Sequence, residues 1–420
     1  MSWHPMLSSL RRHKLTVTLL LLQVAFTCAI LCNAIFLIDQ RLRRIAVISG
    51  LDEKSLSVVA VVDRQAGENP LSVHQADLAA LRAIPGVLSA AIVSDLPLSG
   101  DQTSSGACGS LEAVDAAMRA NSIEVHGCAV PEEYAGGVDV LRTLGLKLVA
   151  GRDFRADEYL SGKPGQAVSG ASAVIVSQML ARRLFGEAQV IGQSLYTGDD
   201  GFHGKGVRIV GVVEHLARGN LLKGEDNDEA IVLPVAPADT NVNFILRSRP
   251  EDRARVLKAA IDLLGPRVPE REVAAASSRT YAQMRSDYFR HDTTMIGLLL
   301  VSALGLLFVT ALGIAGLASF WVQQRRRSIG IRRAIGARHG DILRYFQTEN
   351  FLIVGAGIVL GMVLALALSL ALMHEYEVPR LPLFYLPIGA VAMWLLGQLA
   401  VLGPARRAAA VPPVVATRSA

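Results

Sequence analysis

Four stretches of this chain lack any charged residue: Leu15 to Ile38, Met295 to Val322, Phe351 to Met373 and Leu383 to Leu402. They run for 24, 28, 23 and 20 residues, and a bilayer core of about 30 Å takes about 20 helical residues to cross. Each is long enough to span a membrane. Histidine is missing from all four as well, so the spans carry none of the ionisable residues that mark ion or proton pathways. Nor do the 420 residues hold a G-x-x-x-x-G-K-[ST] loop, a G-x-S-x-G elbow or an H-E-x-x-H helix. Gly204-Lys205-Gly206 lacks the hydroxyl residue that would follow the lysine of a phosphate loop. Nucleotide hydrolysis, serine-hydrolase and zinc-protease chemistry within the chain are thereby excluded, and no cofactor is expected in it.

Cysteine is scarce, with four in all. Cys28 and Cys32 lie one helical turn apart inside the first apolar run, where packing is the expected role. Cys108 and Cys128 fall in the long polar segment. An oxidising compartment would permit a bond between them, and sequence spacing leaves both a disulfide and two free thiols open. His126 is near Cys128, but no second close pair completes a four-ligand set, so no metal site is expected. No period of 20 to 50 residues repeats, which excludes a solenoid.

The hydrophobic fraction is 51% and the mean hydropathy +0.37, and the excess is concentrated in the four runs. Arg11, Arg12 and Lys14 precede the first run as they would in a signal sequence. Its apolar core exceeds the usual length of about 7 to 15 residues and no A-x-A site follows, so it reads as a retained span. Orientation follows from the short loops. Gln323 to Asn350 carries seven arginines against Asp341 and Glu349, net +5, whereas His374 to Pro382 holds Glu375, Glu377 and one Arg380. Arg406, Arg407 and Arg418 add to the tail. Those counts put the 323–350 loop and both termini in the cytoplasm, with Arg41, Arg43 and Arg44 as a conflicting signal past the outer end of the first span. Asp39 to Asp292 then lies outside. It holds 28 Lys+Arg and 33 Asp+Glu, net −5, so the whole-chain charge of +5 comes from membrane flanks and does not point to nucleic acid.

The expected architecture is a membrane protein of four transmembrane helices, with a large α+β extracytoplasmic domain inserted between helices 1 and 2. The expected segments are a cytoplasmic N-terminus at 1–14, spans at 15–38, 293–322, 351–373 and 383–403, and an outer domain at 39–292 with two subdomains and a helical stalk. A cytoplasmic segment at 323–350, a short outer loop at 374–382 and a cytoplasmic tail at 404–420 complete it. Within the outer domain, strands are predicted at Ser57 to Val62, Val87 to Val93, Ile123 to Val130, Ala173 to Val176, Val207 to Val213, Ile231 to Leu233 and Asn243 to Leu246. Helices are predicted at Val73 to Ile84, Tyr134 to Leu144, Ser177 to Phe185 and Pro250 to Leu264, and Ser94 to Ser110 reads as a loop. Ser277 to Arg290 is expected to run as a polar stalk into the second span.

The basic loop between the second and third spans holds an apolar-glycine centre that a purely electrostatic flank would not need. Arg325, Arg326 and Arg327 read as a positive flank drawn to anionic lipid, and Glu349 as a solvated interfacial residue. Ser328-Ile329-Gly330-Ile331-Arg332-Arg333-Ala334-Ile335-Gly336-Ala337 is different, because its apolar residues recur at helical spacing on a piece too short to form its own core. Such anchors suit a helix that docks in a partner's groove. It is expected to be a helix ended by Gly336 and Gly340. Gly357-x-x-x-Gly361 offers close helix packing, and Gly297, Gly305 and Gly313 form a second small-residue series. Trp3, Trp321 and Trp394 are placed at or near span ends. Gly151 is expected in a tight turn held by Arg152 and Asp153.

Three sets of residues resemble the permease subunits of MacB/FtsX-type ABC transporters. They are Arg325 to Ala337 (RRRSIGIRRAIGA) with Asp341-Ile342 and Phe346 to Asn350; Leu144 to Phe154 (LGLKLVAGRDF); and Ala173 to Gly186 (AVIVSQMLARRLFG) with Ile191-Gly192 and Arg208 to Val213 (RIVGVV). The likeness covers nearly the whole chain. Gln324 and Ser328 stand where the family often has acidic residues, and Ser94 to Cys128 matches no part of it. The resemblance implies an inner-membrane permease that forms a dimer with a second copy or paralogue and binds a separate cytoplasmic ABC ATPase, which holds the ATP. Ser328 to Ala337 would be the coupling contact. Such a subunit passes ATPase motion to the outer domain, and with it to a substrate or a periplasmic adaptor. An FtsX-like scaffold that activates a cell-wall hydrolase, and a lipoprotein-release permease, are the alternative readings; the size of the outer domain and the GRDF and LARRLFG motifs favour the MacB type.

Overall fold

The computed structural model describes residues 14–63, 70–162, 170–197, 206–222, 227–268, 271–274, 277–376 and 380–410. Arg11, Arg12, Trp3, Gly204-Lys205, Glu377 and Arg418 lie outside the described residues. The chain divides into two compact units, Val47–Arg290 and a helical unit formed by Met1–Ala46 with His291–Ala420.

Helix α1 (Lys14–Ile45) belongs to the helical unit. The α+β unit then runs β1 (Leu56–Asp63), α2 (Pro70–Arg82), β2 (Val87–Val93), β3 (Ala107–Cys108), α3 (Leu111–Ala120), β4 (Cys128–Ala129), β5 (Glu132–Ala135), α4 (Val140–Leu144), β6 (Leu148–Gly151) and β7 (Leu160–Gly162). It continues through β8 (Ala173–Ser177), α5 (Gln178–Phe185), β9 (Ser194–Thr197), β10 (Val207–Val213), β11 (Ala230–Leu233), β12 (Val235–Pro237), β13 (Asn241–Ser248), α6 (Arg253–Leu264), β14 (Arg271–Val273), β15 (Arg279–Thr280) and α7 (Tyr281–Tyr288). Two sheets carry the unit. One has the order β14-β1-β13-β2 with β15 also on β1, all antiparallel; the other is mixed, with the order β4-β3-β9-β10-β8-β11-β5 and β6 on β10.

The reason the strands read as unbroken apolar runs is that both sheets are covered on both faces. Successive side chains point to opposite faces. Val58 and Ile245 therefore meet Ile175, Val213 and Val232 in a core between the sheets, while Val59, Val61 and Phe244 pack on Leu81 of α2 and on Val256 and Leu264 of α6. On the far side of the second sheet, Val174, Val176 and Ile209 pack on Leu180 and Leu184 of α5. Helix starts follow capping chemistry: the Ser177 hydroxyl accepts the Leu180 amide, and Thr280 with Gln283 forms a reciprocal capping box.

Three predicted elements are different. Tyr134 and Ala135 belong to β5, paired in parallel with β11, and only Val140–Leu144 is helical. The Ala135 amide donates to the Ser94 hydroxyl and the Ala135 carbonyl accepts the Ser94 amide, and Gly136-Gly137 separates the two elements. Of Ile123 to Val130 only Cys128–Ala129 is strand, pairing with Ala107–Cys108. Ser277 to Arg290 is a helix only over Tyr281–Tyr288, closed by a turn at Phe289.

The helical unit adds α8 (Arg290–Gln324), α9 (Arg326–Ala334), α10 (His339–Tyr376) and α11 (Tyr385–Ala409). Together with α1, the helices α8, α10 and α11 are long and apolar enough to cross a membrane. Small residues set the packing of α1 on its neighbours. A side chain at Gly357 or Gly361 would strike Val24 or Cys28 of α1, and one at Gly389 would strike the Cys32 sulfur. The Gly357-x-x-x-Gly361 face is thus used within the chain, and Cys28 and Cys32 are packing residues. Gly313 abuts Gln23, whereas Gly297 and Gly305 have open space around them. Trp321 is buried near the end of α8, and Trp394 sits in the body of α11 with its ring edge-on to Phe351 at 6.2 Å.

Buried polar groups here are short pegs. Thr27 and Thr310 share a hydrogen bond of 2.8 Å, Asn33 donates to the carbonyls of Ala29 and Ala365, and Asn350 donates to that of Gly397. The arginines past the end of the first span are matched by carboxylates: Arg43 binds Asp39 at 2.8 Å, and Arg41 and Arg44 face Asp292.

Candidate functional site

Residues 323–350 do not form one loop. Helix α8 continues to Gln324, α9 follows at once, and α10 begins at His339, well before the apolar run at Phe351. At the break between α8 and α9, Arg325 turns inward and grips Glu349 with both guanidinium ends, at 2.8 and 3.1 Å, with Tyr345 Oη at 3.4 Å. Glu349 is only 2% exposed. Neither is what the sequence suggested: Glu349 is not solvated and Arg325 is not a lipid-facing flank, whereas Arg326 and Arg327 are exposed. A two-pronged arginine–carboxylate contact fixes geometry as well as charge, so this pair pins the root of α9 to α10.

Helix α9 has two unlike faces. Ile329, 6% exposed, and Gly330 turn inward, where Ile329 packs in the core that holds Ile342 and Phe346. Ile331 and Ile335 turn outward, at 47% and 82% exposed, beside exposed Ser328 and Ala334. Arg332 lies over the Tyr345 ring at 5.1 Å, and Arg333 is within the helix. Gly336 has a φ of +104°, a conformation that suits glycine, and it turns the chain toward α10. Ala337, half-buried, donates its amide to the Arg332 carbonyl. The Arg338 amide meets the Asp341 carboxylate, which starts α10. Gly340 does not end α9; it lies in the first turn of α10. The apolar residues 329, 331, 334 and 335 are therefore not one stripe. Ile329 holds the helix in place, and the other three form its free face.

In the α+β unit, Cys108 and Cys128 are joined by a disulfide with Cα atoms 4.1 Å apart, across the β3–β4 pair that frames α3. Gly151 has a φ of +77°, and a side chain there would lie 2.2 Å from the Val210 carbonyl. Arg152 closes the following turn on Glu158, and the Asp153 carboxylate accepts the Phe154 amide. Both residues brace the segment that follows β6, but Gly151 is the last residue of that strand, paired with Gly211, and not in the expected tight turn.

One cluster had no sequence signal. Arg218, 2% exposed, lies 3.7 Å from a Glu132 oxygen and 3.6 Å from a Glu229 oxygen, and it also donates to the Val130 carbonyl. Glu132 accepts the Thr103 amide, and Glu133 accepts the Ser105 hydroxyl. Burial pushes the Glu132 carboxyl up to about 7 and the Asp95 carboxyl up to about 6. These groups fasten the 95–105 segment across β5, and nothing in their spacing announces it. Among the described residues no group of three or more His, Cys, Asp and Glu side chains is placed to hold a metal ion.

Comparison with known proteins agrees with the motifs. Residues 43–264, just over half of the chain, match the MacB-like periplasmic core domain family, and residues 300–413 match the FtsX-like permease C-terminal family. A pyoverdine export ATP-binding/permease protein, PvdT of Pseudomonas entomophila, is 32% identical over 60% of this chain and 38% of its own length. A macrolide export ATP-binding/permease protein, MacB of Rhodospirillum rubrum, is 29% identical over 59% of this chain and 38% of its own. The chain thus spans about two-fifths of the curated relatives it matches. Among solved structures, the periplasmic region of MacB from Actinobacillus actinomycetemcomitans aligns with a TM-score of 0.29 at 13% identity, over 53% of this chain and 87% of that one. The two family matches follow one another from residue 43 to residue 413, and the chain belongs to the MacB/FtsX-type ABC transporter permeases.

Proposed function

We propose that this chain is a permease subunit that takes up the motion of a separate cytoplasmic ABC ATPase at α9 and delivers it to the unit Val47–Arg290 outside the membrane. There it moves a substrate, or an adaptor protein that carries one. In this reading α1, α8, α10 and α11 cross the inner membrane with both termini cytoplasmic. The α+β unit is inserted between the first two spans, a second copy or paralogue completes a dimer, and ATP is bound only by the ATPase. The Cys108–Cys128 bond supports that sidedness, because disulfides persist in oxidising compartments.

The observation that carries the proposal is the divided surface of α9. Its inner face is seated by Ile329 and by the Arg325–Glu349 pin, while Ile331 and Ile335 stand exposed among the arginines 326, 327 and 332. An apolar pair on a rigid mount, rimmed by cations, suits insertion into a groove of a partner. The relatives' names join ATP binding and permease in one protein. Replacing Ile331 by Asp in a tagged chain is expected to abolish co-purification of the ATPase from membranes while membrane insertion stays intact. Unchanged co-purification overturns the proposal.

A further inference from the structure

The chain passes from the helical unit to the α+β unit and back at two points, 46–47 and 290–291. Helix α1 ends beside the first at Ile45, and α8 begins beside the second at Arg290. One acid joins these two helix ends. Asp292 is 5% exposed; Arg41 Nη1 donates to one of its oxygens, and Arg44 Nε lies 3.7 Å from the other. Each charge also suits its own helix, since Asp292 is in the first turn of α8 and Arg44 in the last turn of α1. Arg43 on the same turn is engaged by Asp39 instead.

Beyond this contact α8 is loosely held. No residue from 293 to 309 is buried; Ala303 and Leu307 pack only partly on the helical core, and farther along the Gln23 amide donates to the Val309 carbonyl and Thr27 meets Thr310. At 1.5 Å per residue, the 18 positions from Asp292 to Thr310 span about 27 Å of helix. Over that length side-chain packing is sparser than it is for α1 against α10 and α11, and the polar clasp at its end adds to it.

We infer that Asp292, with Arg41 and Arg44, is a positioning clasp that makes the ends of α1 and α8 remote from α9 move together, so that a displacement reaches both chain crossings at once. The inference rests on reading the chain as a transmitter of ATPase motion. The test places nitroxide labels at Leu42 and Leu298, both exposed, in the full chain in lipid nanodiscs. The buried Cys28 and Cys32 are replaced by alanine, and the label separation is read by double electron–electron resonance. The unmutated clasp should give one narrow distance. Asp292→Asn should broaden it and shift it to longer values, and Asp292→Arg combined with Arg41→Asp and Arg44→Asp should restore the narrow distribution. A distribution for Asp292→Asn as narrow as that of the unmutated clasp, or a failure of the charge reversal to restore it, overturns the clasp. These measurements need no ATPase. Failure of the coupling reading would appear separately, as unchanged co-purification with Ile331→Asp.

Discussion

The two units handle polarity in opposite ways. The α+β unit buries whole charged side chains, Arg218 with Glu132 and Glu229 in one place and Arg271 between Asp63 and Asp77 in another. Among the described residues of the helical unit, most buried polar groups are short and neutral, Thr27, Asn33, Thr310 and Asn350, and the buried carboxylates Asp292 and Glu349 each face arginine. An aqueous fold can recover the cost of a buried charge by pairing it, whereas a helix in lipid has every backbone group satisfied internally and little to offer a charge. Stability should therefore hang on a few residues in one unit and be spread thinly in the other.

The sharpest test of that contrast is Arg218→Met, which leaves Glu132 buried without its cation while Glu229 keeps Arg183 at 2.8 Å. It should cost the α+β unit about 3–5 kcal/mol, read as faster hydrogen exchange in the β5 and β11 peptides. Exchange as slow as in the unmutated chain would break the comparison. Next is the disulfide. Its cysteines are 20 residues apart, and replacing both by alanine should cost about 3 kcal/mol in the loop-closure picture, seen as lost protection confined to 107–129.

The acid cluster adds a pH dependence of defined sign. Glu132 and Asp95 have raised values in the folded state, about 7 and about 6, against 4.5 and 3.8 ordinarily. Protonation therefore favours the fold. Their contribution is full below about pH 4 and is lost as pH rises through 6 to 7, with Glu132 accounting for roughly 3 kcal/mol at about 1.4 kcal/mol per pH unit. Glu132→Gln should flatten the stability profile between pH 5 and 8, and a profile as steep as the original would contradict the assignment. The smallest effect should come from the helical unit. Thr27→Val removes the bond to Thr310 and should cost about 0.6 kcal/mol, measured as a shift in thermal unfolding in nanodiscs.

Much of the fold could be read in advance because its signals are local. SVVAVV and VRIVGVV are long β-branched runs whose two faces both find cores, and Ser177 sits where a helix cap must. Short pieces were harder. Tyr134-Ala135 looked helical because its pairing with β11 lies about a hundred residues away, and a parallel partner leaves no local trace. At the site, the arginine-rich sequence showed where to look but not which way each side chain turns. Only the packing of α9 on α10 separates Ile329 from Ile331, and Arg325 from Arg326. Arg218 with Glu132, and Asp292 with Arg41, leave no local trace because these partners are remote in sequence.

Site-specific photo-cross-linking asks directly whether the exposed face of α9 meets an ATPase. A benzophenone amino acid placed at 331, 335 and 329 in turn, in the tagged chain in its own membranes, should give an adduct with a P-loop ATPase from 331 and 335 and none from 329. Lipid adducts alone from 331 and 335, or an ATPase adduct from 329 only, would contradict the assignment of α9 as the coupling helix.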